Sequence, residues 1–134
     1  MQHQLKIGSF GIILDEKRRV LLCHRTDHDL WNLPGVKLEK GEAPWETVIR
    51  EIKEETGLVT KVKRLIGVYS KHHDNEIVFS FECEITGGKI ELSSEADKIE
   101  YFELREIPRN ISPRQLERIQ NLFEGQSKTL LKKQ

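Results

Sequence analysis

The sequence predicts a single α/β domain in which two helices and a mixed sheet form a sandwich. Three observations support this prediction. The chain has 134 residues, which is enough for one hydrophobic core and leaves little room for a second. Segments typical of strands occur with two segments typical of helices, and no repeat, linker or change of composition divides the chain. We therefore expect residues 1–134 to form one domain.

The N-terminal part of the chain predicts strands and a loop. Residues 5–14 are apolar and β-branched, and the polar turn 15–19 separates them from the apolar residues 20–22, a pattern typical of a hairpin. Residues 31–34 are predicted to form a short strand that enters a glycine-rich loop, residues 35–41.

The segment after this loop predicts the clearest helix in the chain. Pro44 suits the first turn of a helix, and Gly57 is well placed to end it in the left-handed conformation. Between them, apolar side chains recur at positions i, i+3, i+4 and i+7, namely Trp45, Val48, Ile49 and Ile52.

The second half of the chain predicts three further strands and a second helix. Residues 62–70 and 77–85 are typical of strands, and the second of these alternates between apolar and polar side chains at most positions. Residues 99–104 predict another strand, and residues 112–123 predict a helix with serine and proline at its start. We expect the chain after Gly125 to fray.

Composition and charge argue against several classes of function. The chain has 22 basic residues (Lys and Arg) and 22 acidic residues (Asp and Glu), so its formal net charge is zero. It therefore has no overall charge that would attract nucleic acid or an anionic membrane. No apolar run approaches the roughly 20 residues that cross a bilayer, and residues 1–6 carry no export signal. Cys23 and Cys83 lie far apart, which argues against a zinc site or a disulfide framework. We expect a cytoplasmic protein without a membrane partner, for which nucleic acid is a disfavoured partner.

Three carboxylates are the informative feature of the first predicted helix. Glu51, Glu54 and Glu55 stand at i, i+3 and i+4 and therefore lie together beside the apolar stripe. Like charges at this spacing destabilise an isolated helix by about 0.2 to 0.5 kcal/mol per pair. One interpretation is a solvated charged face on which Arg50 pairs with the glutamates. The other is a site for Mg²⁺, which prefers oxygen ligands and binds through a few carboxylates plus substrate phosphates.

The spacing around these carboxylates resembles one known motif. Residues 36–58 read VKLEKGEAPWETVIREIKEETGL, and the Nudix box is written G-x5-E-x7-R-E-U-x-E-E-x-G-U, where U is aliphatic. Every defined position but the first is present: Glu42, Arg50, Glu51, Ile52, Glu54, Glu55, Gly57 and Leu58. The segments WNLPG before the box and KIEYFELREIP after it are also similar to this family. The chain is thus identified as a member of the Nudix hydrolase family, with Val36 in place of the first glycine.

The resemblance implies a fold, an activity and a cofactor. The fold is an α/β/α sandwich with a mixed sheet. The activity is metal-dependent hydrolysis of a pyrophosphate bond in a nucleoside diphosphate-linked compound or a nucleoside triphosphate. The cofactor is Mg²⁺, for which Mn²⁺ can substitute. A homodimer would fit the family, and the alternative function is a catalytically silent module that binds a nucleotide as a sensor or partner domain.

The resemblance also implies roles for individual residues. Glu54 and Glu55 are the principal metal ligands, and Glu51 is either another ligand or the base that takes a proton from the attacking water. Arg50 orients a glutamate of the box. Gly35 offers its backbone carbonyl to the metal.

Three further assignments lie outside the motif. The family often supplies another acidic ligand from the loop before a late strand, where Glu95 is our first choice among Glu95, Asp97 and Glu100. Arg25 and Lys37 are candidates for binding substrate phosphates near the glycine-rich loop. The substrate itself stays open, because the sequence lacks a clear signature of either ADP-ribose pyrophosphatases or dinucleoside polyphosphate hydrolases.

Overall fold

A computed structural model describes residues 4–125 and 128–134. Within these ranges the chain forms eight strands and two α-helices: β1 (Lys6–Ile13), β2 (Val20–Arg25), β3 (Trp31–Asn32), β4 (Gly35–Lys37), α1 (Pro44–Thr56), β5 (Leu58–Lys71), β6 (Glu76–Gly88), β7 (Ala96–Phe102), α2 (Pro113–Glu124) and β8 (Leu130–Lys133). Neither of these helices is long and apolar enough to cross a membrane.

The strands form two sheets. The larger sheet has the order β4-β1-β6-β5-β8 and is mixed, since β1 runs parallel to β6 and β5 parallel to β8, while the other pairs are antiparallel. The smaller sheet has the order β3-β2-β7 and is antiparallel. The two sheets together form the central layer of the domain.

The hydrophobic core lies on both sides of this layer. Neighbouring residues of the strands alternate between the two sides: Ile12 and Leu22 belong to one apolar cluster, and Ile13 and Leu21 belong to the other. The first cluster includes the apolar side chains of α2, and the second includes Val48, Ile49 and Ile52 of α1. The helices therefore cover opposite faces, and the predicted α/β/α sandwich with a mixed sheet is confirmed.

The helix α1 begins and ends where the sequence predicts. Pro44 is its first residue, and the side chain of Glu46 accepts a hydrogen bond of 2.9 Å from the backbone N–H of Ala43. Gly57 ends the helix with φ 80°, and its N–H bonds the carbonyl of Lys53. The predicted apolar stripe is only partly correct, because Trp45 is 56% exposed.

The predicted hairpin between the first two strands is wrong. β1 and β2 both form, but they belong to different sheets. The turn between them is closed by a single antiparallel bridge, from Leu14 to Val20. The reason is that β4 and β6 occupy both edges of β1, so β2 pairs with β3 and β7 instead. The predicted glycine-rich loop also contains a strand, since β4 lies within it.

The expectation that the chain frays after Gly125 is also wrong for residues 128–134. β8 extends the larger sheet by pairing with β5 from Gly67 and Leu130 to Ser70 and Lys133. The side chain of Gln134 is then hydrogen-bonded to α2: the Nε of Arg118 donates to the Oε1 of Gln134 at 3.1 Å. This strand is stabilised by backbone partners more than 60 residues away along the chain, which a local pattern cannot indicate.

Candidate metal centre

Three carboxylates from two parts of the chain lie close together. Glu51 and Glu55 lie on the side of α1 that faces the strands, one turn apart, and their residues are only 7% and 8% exposed. Glu95 comes from the loop that leads into β7. One carboxylate oxygen of each residue lies within 4.8 Å of those of the other two. We call these three residues the carboxylate cluster.

The surroundings of the cluster disfavour the charged forms of Glu51 and Glu55. Burial, followed by repulsion from Glu51 and Glu95, raises the pKa of Glu55 from 4.5 to about 8. Burial also raises the pKa of Glu51, against the effect of the nearby Arg50. The backbone of Gly35 opposes this rise in the pKa of Glu55, but within the described part of the chain the Oε2 of Glu55 is buried without a hydrogen-bond partner.

These properties fit a divalent cation. A buried polar atom without a partner is uncommon in native structures and calls for a specific explanation. A cation would satisfy the free oxygen of Glu55 and remove the repulsion among the three carboxylates. The donor set consists of carboxylate oxygens, which suit Mg²⁺ and Mn²⁺ better than softer metals.

Arg50 organises the glutamates next to the cluster. Its Nε and Nη2 donate to the two carboxylate oxygens of Glu42 at 2.6 and 2.9 Å. Its Nη1 donates to Glu51 at 2.8 Å and to Glu54 at 3.0 Å. Thr47 adds a hydrogen bond to Glu42, and the pKa of Glu42 is lowered to about 2, chiefly by Arg50. Arg50 thus joins the loop before α1 to the carboxylates on the helix.

The structure places Glu54 apart from the carboxylate cluster. The side chain of Glu54 is 57% exposed, and its carboxylate bonds Arg50. Glu54 is nevertheless three residues from Glu51 on the same helix, so a rotation of its side chain would bring it closer to the cluster.

The backbone beside the cluster explains how Val36 is accommodated. Gly35 pairs with Phe10 of β1 and has φ 146°, and a Cβ on it would lie 2.6 Å from the Cα of Phe10. A side chain is therefore excluded at Gly35. Val36 pairs with Ser9 and is partly exposed. Its φ is not positive, because the non-glycine residues with positive φ in the described ranges are Arg18 and Asn75. The departure from the motif falls where a side chain is tolerated.

The two candidate phosphate ligands lie on strands that also carry or adjoin residues of the candidate site. Arg25 is opposite Ala96, the residue after Glu95. Its guanidinium bonds the carboxylate of Asp27 through Nε and Nη2. Lys37 is exposed on β4, two residues after Gly35.

One feature of the site was missed in the sequence. His24 lies between two aspartates, with its Nδ1 2.7 Å from Asp97 and its Nε2 2.8 Å from Asp29. Hydrogen bonds with Asp29 and then Asp97 raise the pKa of His24. Because Asp97 is 73 residues away along the chain, no spacing in the sequence connects it with His24.

Comparison with known proteins agrees with the fold and the motif. The chain matches the family model described as NUDIX domain over residues 5–122. It is 38% identical over 106 residues to the ADP-ribose pyrophosphatase of Methanocaldococcus jannaschii, covering 72% of this chain and 62% of that protein. It is 31% identical over 115 residues to a MutT-like protein of Streptomyces ambofaciens, covering 86% and 75%. The crystal structure of an ADP-ribose pyrophosphatase from Streptococcus suis aligns with a TM-score of 0.80 and 25% identity, over 96% of this chain and 99% of that one.

A mixed α/β/α sandwich with a carboxylate-bearing helix on one face defines the class, and the comparisons define the family. The chain belongs to the Nudix family. It spans 62% of the length of the Methanocaldococcus relative.

Proposed function

We propose that the protein is a Mg²⁺-dependent hydrolase that cleaves a pyrophosphate bond in a nucleoside diphosphate-linked compound or nucleoside triphosphate. The observation that carries this proposal is the carboxylate cluster, in which Glu55 has a buried oxygen without a partner among the described residues. Glu55 and Glu95 would hold the cation, and Glu51 would be a further ligand or the base. Glu54 would join the ligands by leaving Arg50, and Gly35 would offer its backbone carbonyl. Mn²⁺ would substitute for Mg²⁺, because both accept oxygen ligands.

The proposed reaction needs charge neutralisation and a proton acceptor. A bound Mg²⁺ would neutralise the pyrophosphate oxygens and help to activate a water molecule. The water oxygen attacks phosphorus, the bridging P–O bond breaks, and two phosphorylated products leave. Glu51 takes the proton from the water or acts as another ligand; both roles stay open. Arg50 holds Glu51 and Glu54 in place, since its Nη1 donates to both.

A compound of the ADP-ribose type is our first choice of substrate. Two similar proteins are named as ADP-ribose pyrophosphatases. Arg25 and Lys37 would bind the phosphates, because each lies close in the strand register to a residue of the site. Arg25 would have to exchange its bond with Asp27 for one with the substrate.

Turnover of a substrate panel tests this proposal. The panel contains ADP-ribose, nucleotide sugars, dinucleoside polyphosphates and nucleoside triphosphates, each with Mg²⁺, with Mn²⁺ and with EDTA. Phosphate-coupled detection should show cleavage of one group with either metal and none with EDTA. Absence of cleavage in folded protein that still binds nucleotide would favour the silent binding module instead.

Three expectations about the whole protein also belong to this proposal. We propose a single domain, a cytoplasmic location and a homodimer, with a small-molecule nucleotide as substrate and no membrane or nucleic-acid partner. Light scattering measures the oligomeric state, limited proteolysis tests for a single domain, and cell fractionation tests the location.

A further inference from the structure

The third member of the carboxylate cluster is placed differently from the other two. Glu51 and Glu55 belong to α1, whose regular hydrogen bonds and buried face fix their positions. Glu95 is an exposed residue in a loop. A loop side chain loses more conformational freedom when it becomes a ligand. Something must therefore hold this loop against the cluster.

A bulge in β7 is the first part of that support. Arg25 of β2 pairs with Ala96 and His24 pairs with Lys98, so Asp97 is an extra residue without a partner in the ladder. Such a bulge bends its strand and redirects the side chains beside it. Here it separates the loop that carries Glu95 from the regular part of β7.

His24 lies opposite this bulge and contacts its extra residue. Its Nδ1 is 2.7 Å from the carboxylate of Asp97, and its Nε2 is 2.8 Å from the carboxylate of Asp29. Asp29 is held in turn by the side chain of Asn110, whose Nδ2 donates to it at 3.0 Å. The ring of His24 also contacts the ring of Trp31 edge to face, with centroids 5.1 Å apart. The imidazole is therefore fixed from several sides.

Thr26 holds the loop on the other side of Glu95. Its hydroxyl donates to the carbonyl of Ser94 at 3.0 Å, and its N–H donates to the carbonyl of Glu95 at 3.3 Å. Thr26, in the segment after β2, thus holds the loop before Ala96, and His24 of β2 holds it after Ala96 through Asp97. These bonds fix the backbone of Glu95 and leave its carboxylate free to face Glu51 and Glu55.

We propose that His24 is a positioning residue for the metal centre: by joining Asp97 to Asp29, it holds Glu95 beside Glu51 and Glu55. This inference rests on the proposed function, because it requires that Glu95 binds a cation at the carboxylate cluster. His24 touches neither substrate nor metal in this role and acts only through Glu95. Residues that orient a ligand typically change metal affinity by about 10- to 100-fold when they are replaced.

A double-mutant cycle on metal affinity tests this role. His24→Gln, Glu95→Gln and the double variant are titrated with Mn²⁺ by calorimetry, without substrate. We expect His24→Gln to weaken Mn²⁺ binding on the order of tenfold. We expect it to have no further effect in the Glu95→Gln background, because the ligand through which it acts is then absent. His73→Gln, which changes an exposed histidine in the turn after β5, is the matched control and should bind like the unmodified protein.

The outcomes separate this inference from the proposed function. If the unmodified protein binds Mn²⁺ and His24→Gln binds equally well, the positioning role is overturned while the metal site stands. Equal weakening in both backgrounds would also overturn it, because His24 would then affect the fold in general. Absence of Mn²⁺ binding by the unmodified protein would overturn the metal site itself. Should His24→Gln fail to fold, as judged by circular dichroism, Asp97→Asn replaces it in the same cycle with the same expected result.

Discussion

At the scale of single residues, the site depends on how charge is divided between Arg50 and the buried glutamates. Arg50 neutralises Glu42 through two hydrogen bonds and shares one nitrogen between Glu51 and Glu54. Glu55 receives no such bond and keeps a buried, unsatisfied oxygen among the described residues. The carboxylate most in need of a cation is therefore the one that Arg50 does not reach.

Replacement of Glu55 by glutamine should stabilise the protein without metal, and more so at high pH. The folded state holds a proton on Glu55 up to a pKa of about 8, whereas the unfolded chain loses it near 4.5. Folding stability therefore falls as pH rises between these two values, and above them the buried charge has its full effect. Glu55→Gln removes this pH-dependent loss of stability. The melting temperature of the variant should therefore exceed that of the unmodified protein, and the difference should grow from pH 5 to pH 8.5.

Thermal unfolding in EDTA measures this difference. A gain of about 1 kcal/mol corresponds to roughly 3 to 5 °C in a domain of this size. Glu100→Gln, which changes an exposed glutamate of β7 outside the cluster, is the control and should show no such trend. A difference that stays constant over this pH range would contradict the assignment of the raised pKa.

Glu54 allows a different test, because its exposed side chain contributes little to the core. Glu54→Gln removes the charge and keeps the shape. We expect kcat to fall on the order of 100-fold, because the proposed site loses the charge of one metal ligand, with little change in melting temperature. The measurement is steady-state turnover with Mg²⁺ on the substrate identified by the panel, and Glu84→Gln on β6 is the control. Unchanged turnover would remove Glu54 from the site.

At the scale of elements, β4 shows how a departure from the motif can leave the backbone intact. Gly35 has a φ that only glycine adopts easily and packs against β1 without room for a Cβ. The next residue, Val36, has ordinary strand geometry opposite Ser9. The valine therefore replaces a glycine at a position that does not require one in this chain.

Reversion of Val36 to glycine should consequently bring no gain. We expect Val36→Gly to leave kcat/KM within about twofold and to lower the free energy of unfolding by about 0.5 to 1 kcal/mol, because glycine weakens a strand. Turnover and urea unfolding measure the two quantities. A large increase in turnover would show that Val36 restricts the site, and would favour the silent-module interpretation of the natural chain.

The elements also show which features a sequence can predict. The bounds of α1 follow from Pro44, Gly57 and the apolar period, all of which act within a few residues. The positions of Glu51 and Glu55 on its inner face follow from the same period. In contrast, the sheet to which β2 belongs, the pairing of β8 and the bond between His24 and Asp97 depend on partners far along the chain. Only the resemblance to the Nudix family indicates Glu95 as a metal ligand.

At the scale of the whole molecule, the candidate site joins parts that are otherwise separate. Gly35 belongs to the larger sheet and Glu95 precedes a strand of the smaller one, while Glu51 and Glu55 come from α1, which covers one face of the layer. A cation bound by these glutamates would therefore connect the helix to the smaller sheet. Its binding energy would add to the stability of the complete fold and not only to that of one loop.

Mg²⁺ should consequently raise the melting temperature of the protein even without substrate. A ligand at 100 times its Kd stabilises the folded state by about 2.7 kcal/mol, which corresponds to a shift of several degrees in a domain of this size. Differential scanning calorimetry at pH 7.5, with Mg²⁺ and then with excess EDTA, measures the shift. Glu95→Gln should reduce it, because one ligand is weakened, whereas Glu100→Gln should leave it unchanged. If Mg²⁺ and EDTA give equal melting temperatures while nucleotide alone raises them, the protein binds nucleotide without a resident metal, and the carboxylate cluster serves another purpose.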